Sequence, residues 1–218
     1  MLTIVGITGL KRSGKNTAAQ FIEERSEFFL HRSTKIISFA DELRKHLEIL
    51  NPIVDSDADF EGNTYPYHWN EAIKDFGYET AKDKYPEMRR LMQIYGTEVV
   101  RERIQGNYWV SKVLAAAEKM EIDHKNPVVI IPDMRFFNEC YETSYFCRQY
   151  DRNFILLQIC GKDDSVKLDS HASEDNTWVN DNQVKMILEN IGTIEEFREK
   201  CIKWADLYLK NKTALMAI

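Results

Sequence analysis

The run Gly9-Leu10-Lys11-Arg12-Ser13-Gly14-Lys15-Asn16-Thr17 places two glycines, three cations and two hydroxyls within nine residues. Glycines at positions 9 and 14 let the backbone take tight conformations and approach an anion closely, so that several main-chain N–H groups converge on it. Lys15 adds a point charge suited to outer phosphates, with Lys11, Arg12 and Ser13 beside it. An apolar run, Leu2 to Ile7, precedes the stretch, and an amphipathic segment with Ala18, Phe21 and Ile22 follows it. Strand, Gly-flanked loop and helix start are the context of a phosphate-binding P-loop, so the chain is expected to bind a nucleoside triphosphate. The usual pattern has a hydroxyl residue directly after the lysine; here Asn16 intervenes and the hydroxyl is Thr17.

A second group with phosphate chemistry is Asp133-Met134-Arg135, directly after the apolar run Val128–Pro132. Ligands of open parallel sheets bind at the carboxyl ends of strands. Asp133 there suits a metal-bound water or a substrate hydroxyl. Arg135, two residues on, would project to the same side of an extended segment and offers a planar fork for a phosphate. A surface ion pair between the two is the plainer alternative. Glu139 follows at an expected helix start, facing either a ligand or solvent.

These groups need a scaffold. Apolar runs at Leu2–Thr8, Lys35–Phe39, Val128–Pro132, Phe154–Ile159 and Val184–Leu188 alternate with helical periodicity. The alternation predicts a three-layer α/β/α fold on a mainly parallel five-stranded sheet. Ile194, Phe197, Cys201, Trp204, Ala205 and Tyr208 share one stripe of a terminal helix; Met88, Leu91, Met92, Tyr95 and Val99 share another. Gly96 lies within the latter pattern, where it marks a close contact or a helix end. Asp41 reads as a helix N-cap or first-turn acid, and Trp109 as core or as a wall for a base. Residues 52–85 break the alternation, with prolines, glycines and acids, and read as a rim or a surface loop. One domain is expected, with an inserted acceptor-binding region over 52–125.

The chain has 218 residues, 44% hydrophobic and 29% charged, with a formal net charge of −6. That balance is ordinary for a soluble globular protein and argues against general affinity for nucleic acid or anionic membranes. Cys140, Cys147, Cys160 and Cys201 show no zinc-ligand spacing and read as reduced thiols. No leader precedes the first strand and no apolar run spans a bilayer, so a cytoplasmic protein is expected.

Taken in order, Gly9–Thr17, Ser38–Leu43, Arg89–Glu98, Trp109, Asp133–Glu139 and His171-Ala-Ser-Glu174 resemble the bacteriophage-type deoxynucleoside monophosphate kinases, within the P-loop nucleoside monophosphate kinase group. The resemblance covers most of the chain to about Lys200. It implies transfer of the γ-phosphoryl group of ATP to a deoxynucleoside monophosphate, with Mg2+. No side chain is assigned as a direct metal ligand; Thr17 and Asp133 would act through water, as the offset hydroxyl does in related kinases. Lys15, Arg12, Asp133 and Arg135 would carry catalysis. Asp41, Arg89, Gln93, Thr97, Trp109, Asp133, Arg135, Glu139 and Lys162 would meet the acceptor. Asn190, Gly192 and Thr193 match the segment near the adenine of ATP. The resemblance also implies a monomer or homodimer, in host cytoplasm if the origin is viral.

The expected lid, 161–175, departs from the family pattern: it has Lys162, Lys167 and His171 but no arginine. Arg12 and Arg135 are therefore expected to carry more of the phosphate charge. Rival readings stand beside this one, among them a catalytically silent ATP-binding module, against which Lys15, Asp133 and Arg135 argue. A kinase of phosphomevalonate or dephospho-coenzyme A shares the loop or the general plan. An NTP-dependent switch would need an Asp-x-x-Gly motif, but Phe136 follows Asp133 at that position.

Overall fold

The computed structural model describes residues 1–58, 60–161 and 186–210, which separate into two compact units: residues 1–39 with the described residues from 110 onward, and Ala40–Trp109.

The first unit is built on β1 (Thr3–Thr8), β2 (Thr34–Ile36), β5 (Val128–Ile131), β6 (Asn153–Gly161) and β7 (Met186–Asn190), in the order β2-β5-β1-β6-β7. Every neighbouring pair is parallel. All six residues of β1 and all four of β5 are buried, as strands covered on both faces must be. One face packs Val5, Ile7, Val128, Ile130, Leu157 and Ile159 against α1 (Lys15–Phe28) and α8 (Ile194–Leu209). Alternate residues Ile4, Val129, Ile131 and Leu156 are buried on the opposite face. The expected five-stranded parallel sheet is present. Its last strand begins at Met186; Val184 and Lys185 lie outside the described residues.

In the second unit, α2 (Phe39–Leu50) continues from Ala40 into β3 (Ile53–Ala58) and β4 (Thr64–His68), an antiparallel pair. Short helices α3 (Trp69–Phe76), α4 (Tyr78–Lys84) and α5 (Pro86–Gln93) follow. The stretch read from sequence as a rim or loop is thus a hairpin and two helices. Its period-2 pattern is masked because most of the hairpin is exposed on both faces.

The helix expected to run through Val99 changes type instead. Ile94–Ile104 is a π-helix, closed at its end by a bond from Gln105 N–H to Val100 O at 2.8 Å. The wider turn rotates the buried face, so Val100 is 2% exposed while Val99 is 37% exposed. Gly96 is therefore no helix end. A Cβ there would lie 3.0 Å from Leu43 Cδ2, which makes it a point of close packing. Two further helices complete the described residues, α6 (Tyr108–Asp123) and α7 (Phe137–Gln149).

Candidate active site

The carboxyl ends of the parallel strands collect the polar groups of the first unit. After β1 the chain turns through Gly9 at φ 145, Arg12 at φ 66 and Gly14 at φ 99 before α1 begins. Left-handed conformation at Gly14 is easy for glycine alone, and it serves as N-cap of α1. Side chains would not fit at either glycine. A Cβ on Gly9 would overlap the carbonyl oxygen of Ile159, and one on Gly14 would lie 2.5 Å from Asn190 Nδ2. Gly161, at the end of β6, also lies against the loop: its Cβ would come within 3.1 Å of Ser13 Cα.

Lys15 folds over this loop, donating to Gly9 O at 2.7 Å and Leu10 O at 2.6 Å. Ser13 N–H donates to Leu10 O at 3.2 Å, and Ser13 O accepts from Asn190 Nδ2 at 3.0 Å. No acidic residue stands in the first turn of α1. A helix start without an acid in its first turn, a nearby ammonium and a glycine-lined backbone form a complementary seat for a polyphosphate. Lys11, Arg12 and Asn16 are exposed around it, and Thr17 is half-buried in the first turn.

At the end of β5, Asp133 accepts the Ser38 hydroxyl on Oδ2 at 2.6 Å and the Phe39 N–H on Oδ1 at 3.0 Å. Pro132 and Asp133 form a turn after β5, and Met134 and Arg135 follow it outside any strand or helix. Met134 is buried, its N–H donating to Ile7 O at 3.1 Å. Glu139 is only 2% exposed, and its Oε2 accepts from Arg135 N at 2.7 Å and Phe136 N at 3.0 Å. The carboxylate therefore sets the backbone that presents Arg135, and its burial departs from the solvated alternative.

Thr193, expected near a base, caps α8: its Oγ1 accepts from Glu196 N at 3.2 Å, and Thr193 N–H returns a bond to Glu196 Oε2 at 2.8 Å. Gly192 leaves room for that Glu196 carboxylate. Lys162, Lys167 and His171, with all of the expected lid after Gly161, lie outside the described residues.

The second unit holds the other residues read as acceptor contacts. Asp41, in the first turn of α2, stands 3.5 Å from Arg44. Arg89 pairs with Asp83 and donates to Lys82 O at 3.2 Å. Gln93 ends α5 half-buried, and Thr97 is buried in the π-helix. Trp109 is 4% exposed and donates its indole N–H to Gly96 O at 2.9 Å. His46 faces Tyr95, Tyr108 and Trp109, with Nδ1 3.0 Å from the Tyr95 hydroxyl. Sequence reasoning did not single out His46. Its helical spacing gives no sign of the cluster, because Tyr95 and Tyr108 come from distant segments.

Burial pushes the Cys140 thiol up to about 11 and those of Cys147 and Cys201 up to about 12. At neutral pH these three remain protonated and unsuited to nucleophilic attack. Among the described residues no helix is long and apolar enough to cross a membrane.

The sequence matches the family model of deoxynucleotide monophosphate kinases over residues 33–201, more than half of the chain; the phosphate loop lies ahead of that span. No curated protein matches. Among solved structures, an APS kinase from Mycobacterium tuberculosis is similar at 14% identity, with 92% of this chain and 94% of that chain covered and a TM-score of 0.45. A gluconokinase from Sinorhizobium meliloti is similar at 9% identity, with 99% and 98% covered and a TM-score of 0.43. The match over 33–201 takes in Asp133 and Arg135 together with the whole second unit, and on it the chain belongs to the deoxynucleotide monophosphate kinase family.

Proposed function

We propose that this chain transfers the γ-phosphoryl group of ATP to a deoxynucleoside monophosphate with the loop Gly9–Thr17 as the donor-phosphate site. The supporting observation is the loop itself: Gly14 in left-handed conformation at the start of α1, no acid in the first turn, and the Lys15 ammonium held directly over the loop backbone. Phosphoryl transfer passes through a loose transition state, so the protein's part is alignment and charge neutralisation. Lys15 and the loop N–H groups would fix the donor phosphates, with Arg12 at the exposed turn beside them. Arg135, held at its backbone N–H by Glu139, would neutralise the acceptor phosphate or the group in transit. No strong general base is required.

Mg2+ is proposed to arrive on the donor phosphates. Among the described residues no cluster of three His, Cys, Asp or Glu side chains is placed to hold a metal ion alone. Thr17 and Asp133 fit as partners of metal-bound water, the mode Mg2+ favours. The ion would supply charge neutralisation on the phosphate oxygens. Arg89, Gln93 and Thr97 are proposed as acceptor contacts of the second unit. Trp109, buried with its N–H bonded to Gly96, is proposed to shape that unit from within.

Lys15→Ala tests the donor site. Turnover is expected to fall about a hundredfold or more, the scale of losing one charged stabiliser of a transition state, with the melting temperature retained. Near-normal turnover would reject the assignment.

A further inference from the structure

Asn190 ends β7, the edge strand of the sheet, and reaches across the sequence to donate its side-chain amide to Ser13 O at 3.0 Å. Gly14 makes this approach feasible, since any Cβ there would meet Asn190 Nδ2 at 2.5 Å and stand 3.5 Å from Phe197 Cε1. Two separate constraints thus fall on Gly14: its φ of 99, and the room it leaves for this amide. The base behind Asn190 is firm. Thr193 and Glu196 close a reciprocal cap on α8. Phe197, one residue on, is buried and packs edge-on against Phe21 of α1, ring centroids 6.4 Å apart.

A trans peptide is planar, so its C=O and N–H point in opposite directions. Fixing the Ser13 carbonyl toward Asn190 therefore fixes the direction of the Gly14 N–H, at the helix start where a phosphate would be bound. Without that bond the Ser13–Gly14 peptide has freedom to rotate and to present a carbonyl to the anion instead.

We propose that Asn190 is a positioning residue for the phosphate loop: its amide orients the Ser13–Gly14 peptide so that donor phosphates meet a preformed N–H. This differs from the adenine contact that the family resemblance implies, and it rests on the reading of Gly9–Thr17 as the donor site.

The test compares wild type with Asn190→Asp, which keeps the volume but removes the donor, and Asn190→Ala, which adds no charge. Binding of inorganic tripolyphosphate, which has phosphates but no base, is measured by calorimetry; KM values for ATP and for the acceptor are measured by turnover. Both variants are expected to weaken tripolyphosphate and ATP alike by about tenfold, the scale of one lost hydrogen bond, with the acceptor KM within about twofold. Weaker ATP with unchanged tripolyphosphate would overturn the proposal in favour of a base contact. Unchanged values for both would reduce Asn190 to packing. A rise in acceptor KM equal to that for ATP, with a lowered melting temperature, would mean general damage and also overturn it. Wild type that binds tripolyphosphate but phosphorylates no nucleotide would contradict the kinase reading alone, while the calorimetry would still decide the role of Asn190.

Discussion

Ser38 donates its hydroxyl to Asp133 at 2.6 Å, and the adjacent Phe39 N–H takes the other carboxylate oxygen at 3.0 Å. One side chain at the end of β5 thereby fastens the turn between β2 and α2. The geometry separates two duties of Asp133, holding this turn and supplying charge near phosphate.

Asparagine separates those duties experimentally. Asp133→Asn keeps an oxygen for Phe39 N–H, so its melting temperature should stay within about 3 °C of wild type, about 1 kcal/mol for a protein of this size. Its kcat should nevertheless fall at least about tenfold, because the charge is gone. Asp133→Ala leaves a hydroxyl and an N–H without this acceptor and should lose about 1–3 kcal/mol as well. Normal turnover in Asp133→Asn would leave Asp133 a purely structural residue.

Trp109 supports a different expectation. Its indole N–H bonds to Gly96 O, and its ring sits edge-on to His46 and Tyr108 in the interior of the second unit. Trp109→Phe keeps an aromatic ring but removes the indole bond to Gly96 O. Stability should fall by about 1 kcal/mol, read by urea denaturation, with the acceptor KM nearly unchanged. A large rise in acceptor KM at constant stability would make Trp109 a base contact instead.

Arg32 is 6% exposed, and burial pushes its pKa down from the usual arginine value. It donates to the carbonyls of Asn126, Leu209 and Pro127 and to the Thr3 hydroxyl. It thus ties the start of β1 to the end of α8 and to the turn before β5. Arg32→Met should lower unfolding stability by about 3 kcal/mol, since several acceptors lose their donor together. Its kcat at 25 °C should be unchanged, because none of those partners belongs to the proposed chemistry. A selective loss of turnover would show that this clamp matters to the site.

The sheet was legible in the sequence because both-face burial writes each strand as an unbroken apolar run, as in Val128–Ile131. The phosphate loop was legible because glycine and lysine at fixed spacing have few other uses. Less was written at Glu139, whose place under the Arg135 backbone depends on the turn that Met134 pins to β1. The π-helix left no mark either, since residues 94–104 carry an ordinary helical composition. The hairpin of β3 and β4 stayed hidden for the opposite reason: exposed strands lack the apolar alternation that announces them. The bond from Asn190 to Ser13 joins positions 177 residues apart. No local pattern records such a pairing.

ADP release from ATP and Mg2+ reads out the transfer, with dGMP, dTMP, dCMP, dAMP, their ribose forms, phosphomevalonate and dephospho-coenzyme A supplied one at a time. Release stimulated by one or more deoxynucleoside monophosphates, and lost in Lys15→Ala, is the predicted result. Stimulation by phosphomevalonate or dephospho-coenzyme A alone, or turnover indifferent to any acceptor, would contradict it.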